Sequence, residues 1–157
     1  MNIYTLKTNH LVALLIIISL FSAKFATAQL QGNELKNAIC YKNFAFTVTH
    51  ESVGNFALGN YYLHITNDSL NAVLPYSGRS NAGAYSTDDN GINIHTKDFT
   101  YQANLLKNGN YNIKITLRNN RLTSSFSLQV NKKGTATLVA NGINRENSNY
   151  TGVIQSL

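Results

Sequence analysis

Tyr111-Asn112-Ile113-Lys114-Ile115-Thr116-Leu117-Arg118 sets an apolar side chain at each odd position and a polar one at each even position. Successive side chains of a β-strand leave opposite faces of the sheet, so this segment makes a strand with one dry face and one wet face. The same period of two extends outward. Upstream, Phe44, Phe46 and Val48 alternate with Ala45, Thr47 and Thr49, and Tyr61, Leu63 and Ile65 with Tyr62, His64 and Thr66. Further segments run from Leu70 to Leu74, Ile92 to Thr96, Phe99 to Leu105, Leu122 to Val130, Thr135 to Ala140 and Tyr150 to Ile154. Between them stand Asn67-Asp68, Asn90-Gly91, Asn108-Gly109, Asn119-Asn120, Lys133-Gly134 and Asn141-Gly142. Asn and Gly accept the positive φ of tight hairpins at low cost, so these dipeptides bracket antiparallel neighbours. The expectation is a mainly β fold, a single antiparallel meander of eight to nine strands. Its dry face must be buried by curling into a half-barrel, a barrel or a sandwich, which periodicity alone does not separate.

One short N-terminal helix precedes the strands, from Asn33 to Tyr41. Asn33 is its expected cap, Glu34 lies in the first turn where the helix dipole favours a carboxylate, and Leu35, Ala38 and Ile39 share a face. So short a helix holds only if that face packs on something, and the sheet is the natural partner.

Residues 1–28 have the order of a secretory signal peptide. Lys7 and His10 precede an apolar core from Leu11 to Phe21, broken only by Ser19, and Ala26-Thr27-Ala28 closes the segment. The core is 11 residues long, short of the roughly 20 that cross a bilayer as a helix, so it is read as removed rather than as an anchor. The expected mature protein is then one β domain, residues 29–157, with its core at about 35–154 and no transmembrane segment. Lys7 and Lys24 leave with the signal, so 11 basic residues stand against 7 acidic ones and the net charge falls from +6 to +4. The remaining cations are scattered along turns and strand edges, as sheet-edge protection requires, and form no phosphate-binding stripe, which argues against a nucleic-acid partner.

Cys40 is the only cysteine, so no internal disulfide is available and stability must come from apolar burial and sheet hydrogen bonds. It lies 19 positions past Phe21, too far for the lipid-attachment cysteine of a bacterial lipoprotein. With Ile39 beside it, Cys40 reads as a small buried hydrophobe rather than a nucleophile.

The connection that lacks a tight hairpin signal carries Leu74-Pro75-Tyr76-Ser77-Gly78-Arg79. Pro75 fixes its own φ and pushes Leu74 into an extended conformation, and Gly78 permits a turn closed to other residues. Tyr76 and Arg79 would then stand on a shaped loop, a phenol and a fork of five N–H donors suited to a carboxylate, a sulfate or sugar hydroxyls. The bland alternative is that Tyr76 packs at the sheet end and Arg79 bonds loop carbonyls.

With Tyr61-Tyr62-Leu63 before it, Gly91-Ile92 and Phe99 after it, the Gly109-to-Ile113 strand, Gly134-Thr135-Ala136-Thr137-Leu138 and Tyr150-Thr151-Gly152, the chain resembles domain of unknown function family 4251 over about Leu35 to Ile154. The resemblance implies a small, mostly β, exported protein of Bacteroides-type bacteria, located in the envelope or outside the cell, and implies no activity. Where that family's pattern usually carries an aromatic, this chain has Ser77.

No catalytic motif is present. Ser77 is not in a G-x-S-x-G elbow, and Asp98 with His95 is the nearest approach to an acid–base pair, which leaves a hydrolase as the minority reading. His50, His64 and His95 lack zinc-site spacing; His50 and His64 would be the parts of any metal site assembled in three dimensions, and neither metal nor cofactor is expected. Asp88-Asp89-Asn90-Gly91 reads as a turn, since the later ligands of a calcium loop are missing. Two functional readings result for a protein exported to the periplasm or beyond. One is a non-catalytic binding module holding a small molecule, lipid or glycan in the mouth of a curled sheet, near Tyr61, Tyr76 and Arg79. That reading calls for an apolar cavity lined partly by aromatic rings. The other is a structural or protein-interaction component of the envelope with a solid core.

Overall fold

The computed structural model describes residues 28–51, 60–76 and 91–157. The signal-like segment up to residue 27 and the loop residues Ser77 and Arg79 lie outside them.

Nine antiparallel strands form one sheet that curls into a nearly closed barrel: β1 (Phe44–Glu51), β2 (Tyr62–Ile65), β3 (Leu70–Pro75), β4 (Gly91–Thr96), β5 (Phe99–Leu105), β6 (Tyr111–Leu117), β7 (Thr123–Val130), β8 (Thr135–Gly142) and β9 (Ser148–Gln155). Their spatial order is β4-β3-β2-β1-β9-β8-β7-β6-β5. Every consecutive pair meanders except at two places. First and last strands meet, β1 against β9, with Phe46 opposite Ile154. At the other place, β4 and β5 are the two ends of the sheet, although only Lys97 and Asp98 separate them in the chain.

Eight antiparallel pairings separate β4 from β5, an even number of reversals, so the two strands run in the same direction. They are halves of one extended run whose first half bonds β3 (Leu74 opposite Ile92) and whose second half bonds β6 (Tyr101 opposite Ile115). The covalent chain, rather than a ladder of hydrogen bonds, closes the ring. What remains along β4 is a seam, a strand edge with no neighbouring strand among the described residues.

The alternation read in the sequence is realised most cleanly in β6, whose burial strictly alternates from Tyr111 to Leu117. Inward residues of eight strands form a single core, with Phe44, Phe46, Phe126 and Tyr150 among its largest members, and Phe99 and Tyr101 of β5 pack against it half-buried. Asn67-Asp68 and Gly91 take no positive φ, but at three hairpins the turn residues behave as their chemistry demands: Gly109 and Gly134 take φ of +80° and Asn119 takes +57°. Asn141-Gly142 does not. Gly142 ends β8 itself, the positive φ falls on Asn144, and residues 143–147 make a longer connection.

The helix, α1 (Gly32–Cys40), starts one residue before the sequence expectation, and its cap is Gln31 rather than Asn33, with no side-chain hydrogen bond. Its placement is set by the sheet. Leu30 donates its N–H to the Ile154 carbonyl, and Leu35 and Ile39, one turn apart, enter the core at the end where β1 begins and β9 stops. The Tyr101 hydroxyl donates to the Ile39 carbonyl at 2.9 Å, adding to the Lys42 N–H bond that this carbonyl accepts in the last turn. Cys40, expected to be buried, is exposed. Its neighbour Ile39 points into the core, and the next residue of a helix turns about 100° away from it.

Candidate functional site at the barrel seam

Along the seam, β4 faces the β6–β7 turn. There a pocket of about 310 Å³ is lined by Gly91 to Ile94 of β4, Asn120, Arg121, Leu122, Thr123 and Arg145. A second hollow of about 250 Å³ continues along β4 past His95 and Thr96 to Asp98, Leu117 and Arg118. Both share Asn93, Ile94 and Asn120, so they are two parts of one groove along the open strand edge.

Arg145 governs the chemistry of the first part. It is only 8% exposed. Three contacts hold its side chain. Its Nη2 donates to Thr123 Oγ1 at 2.5 Å, its guanidinium lies over the Tyr76 ring at 4.5 Å from the centroid, and its stem passes Gly142. A Cβ at Gly142 would stand 2.5 Å from both Arg145 Cγ and the Arg145 carbonyl oxygen, so that glycine is there for the passage of the arginine, not for a tight turn. The Gly142 N–H donates to Asn147 Oδ1 at 3.0 Å and the Ile143 N–H to the Leu122 carbonyl at 2.9 Å, which fixes the loop that delivers it.

Tyr76 is fixed in turn by the motif around it. Leu74 is sunk in the core, and the Pro75 carbonyl accepts a 2.5 Å hydrogen bond from the fully buried Tyr150 hydroxyl. Leu-Pro-Tyr therefore anchors, bonds and presents in successive residues. Tyr76 leaves this anchor half-buried, one side of its ring beneath the guanidinium and part of it packed on the core.

Of the three binding residues named from sequence, Tyr76 is thus in contact with the seam, through Arg145. Tyr61 is half-buried against the core, with its carbonyl accepting from the Val48 N–H at 3.0 Å, and is not among the residues lining the seam pocket. Arg79 lies outside the described residues, as do Ser77 and Asp88-Asp89-Asn90. Arg145 was read only as one of several scattered cations. Nothing in its local sequence marks burial, because its cover comes from Tyr76 and Thr123, both distant in the chain.

The remaining titratable candidates do not assemble a catalytic group. His95 bonds Asn71 across the β3–β4 pair, while Asp98 is held by Arg118 at 3.7 Å and Asn119 at 3.3 Å, so the two do not pair with each other. His64 stacks on Tyr62, centroids 3.9 Å apart, and burial lowers its pKa below the ordinary 6.5. Burial pushes the Tyr101 phenol up, with the Cys40 thiol adding to the effect. Tyr111 is raised by the same two causes in the same order. His50 lies on β1 just past a register slip between Val48 and His50. Among the described residues no three His, Cys, Asp or Glu side chains are grouped to hold a metal ion. No described helix is long and apolar enough to cross a membrane.

No curated protein matches the chain. It is similar in fold to a crystal structure of a DUF4251 family protein from Bacteroides eggerthii DSM 20697. That likeness has a TM-score of 0.58 at 12% identity and covers 79% of this chain and 86% of that one. The family model described as Domain of unknown function (DUF4251) matches residues 26–154, from ahead of α1 into β9. On that extent of agreement, the chain belongs to the DUF4251 family.

Proposed function

We propose that the protein is an exported, non-catalytic binding module that takes a small ligand at the barrel seam. The observation that carries this reading is the 310 Å³ pocket at the place where the sheet fails to close, lined by apolar Ile92, Ile94 and Leu122 together with Asn120, Thr123 and a buried arginine. A few convergent polar groups set in an apolar wall are what a small-molecule site needs for orientation and affinity. That lining has no histidine, carboxylate or thiol to move a proton, which favours capture over turnover. The ligand would sit at the side of the sheet rather than in an enclosed apolar cavity, since Phe44, Phe46, Phe126 and Tyr150 are packed inside the barrel. Export rests on the charged, apolar and small-residue order of residues 1–28.

A second reading, an envelope component that works by surface contact, is favoured by that packed interior and by exposed Leu105 and Leu106 at the β5–β6 hairpin. Titration of isotope-labelled protein with fatty acids, glycans and bile-acid-like molecules, followed by NMR, separates the two. Binding at the seam moves the amide signals of Ile92, Ile94, Leu122 and Thr123. Silence at those positions for every class leaves the contact reading.

A further inference from the structure

Arg145 is more completely provided for as a side chain than as a charge. Its stem, one face and Nη2 are all engaged, by Gly142, Tyr76 and Thr123. Its Nη1 is sealed from solvent and, among the described residues, reaches no acceptor. No described carboxylate pairs with it either. A guanidinium stays ionised at any physiological pH, and a buried charge is ordinarily matched by an opposite one or fully hydrogen-bonded. The pocket it lines has a second cation, Arg121, no acidic residue, and an apolar wall of Ile92, Ile94 and Leu122.

We infer that the seam pocket recognises a small organic anion, a carboxylate on an apolar body, with the Arg145 guanidinium donating to the carboxylate and the body lying against Ile92, Ile94 and Leu122. This rests on the small-ligand reading above and names the chemistry of its ligand. Tyr76 and Thr123 act as positioning residues, since their contacts hold the guanidinium fork while Nη1 is left without an acceptor.

The test compares octanoate with octanamide, which have the same apolar body and differ in charge, on the unaltered protein by NMR and by thermal shift. Octanoate is expected to move the amide signals of Ile94, Thr123 and Arg145 and to raise the melting temperature, with affinity at least about tenfold above that of octanamide. Arg145→Gln should lose that preference, while Arg145→Lys should retain part of it. Octanamide binding at the seam as tightly as octanoate would overturn anion recognition and leave the pocket a small-molecule site. Failure of both compounds to perturb the seam would overturn this inference, while the binding reading falls only if the glycans and bile-acid-like molecules are silent there as well. The comparison on unaltered protein decides the matter even where Arg145→Gln does not fold.

Discussion

Tyr150 is fully buried and its hydroxyl donates to the Pro75 carbonyl, so Tyr150→Phe removes one oxygen and takes a donor from a buried acceptor. The expected cost is about 1–3 kcal/mol, read as a fall of several degrees in melting temperature. An unchanged melting temperature would mean that Pro75 has another donor. His64 gives a prediction of a different kind. Burial holds its pKa below 6.5 in the folded state, whereas the unfolded chain protonates at the ordinary value, so the unfolded state binds more protons as the solution is acidified. Stability should therefore fall from about pH 7 towards pH 5, and urea midpoints of His64→Gln should show a shallower slope over that window than those of the unaltered protein. Equal slopes would remove His64 from the account. At this scale the sequence was legible where chemistry is local. Pro75 and Tyr76 were singled out by the conformations they impose, but Arg145 was not, because a charge acquires burial only from residues the fold brings to it.

At the scale of elements, alternation sufficed wherever a strand has one face in water and one in the core. Strand positions from Phe44 to Gln155 follow the period of two except at the register slips in β1 and β7 and the exposed second half of β5, with boundary shifts of a residue or two, such as Thr123 rather than Leu122 at the start of β7. Reading failed where a dipeptide serves a tertiary purpose: Asn141-Gly142 has hairpin composition, yet Gly142 is occupied in making room for Arg145. The helix shows both sides. Its apolar face was readable from Leu35 and Ile39, but not which side Cys40 would take at its last turn. Nine residues are too few for a stable isolated helix, so α1 depends on what Leu35 and Ile39 bury. Ile39→Ala should cost about 2–5 kcal/mol in urea unfolding. Cys40→Ser, one position on and exposed, should stay within about 0.5 kcal/mol of the unaltered protein. Equal losses from the two would mean that the helix does not dock by the face described.

For the whole molecule, barrel and sandwich share the same inward–outward code, and what decides between them is how the sheet ends meet. The clue lay in an absence, since no Asn or Gly stands between Thr96 and Phe99 to reverse the chain. Lys97 and Asp98 carry the strand from β3 to β6 without a hairpin, and so the ring closes through covalent bonds with a seam left beside β4. A strand bonded on both sides opens only when the barrel does, whereas a strand bonded on one side frays locally. Native-state hydrogen exchange should then divide the wall. Amides of β1, β9, β8 and β7, each paired on two sides, should exchange at the slow, global limit, and those of β4 and β5 markedly faster. Octanoate at the seam should slow β4 while leaving β5 unchanged, because β4 and not β5 lines the pocket. Protection of β4 equal to that of β1 in the unliganded protein would mean that its free edge is already covered, and the seam would then be closed rather than open to a ligand.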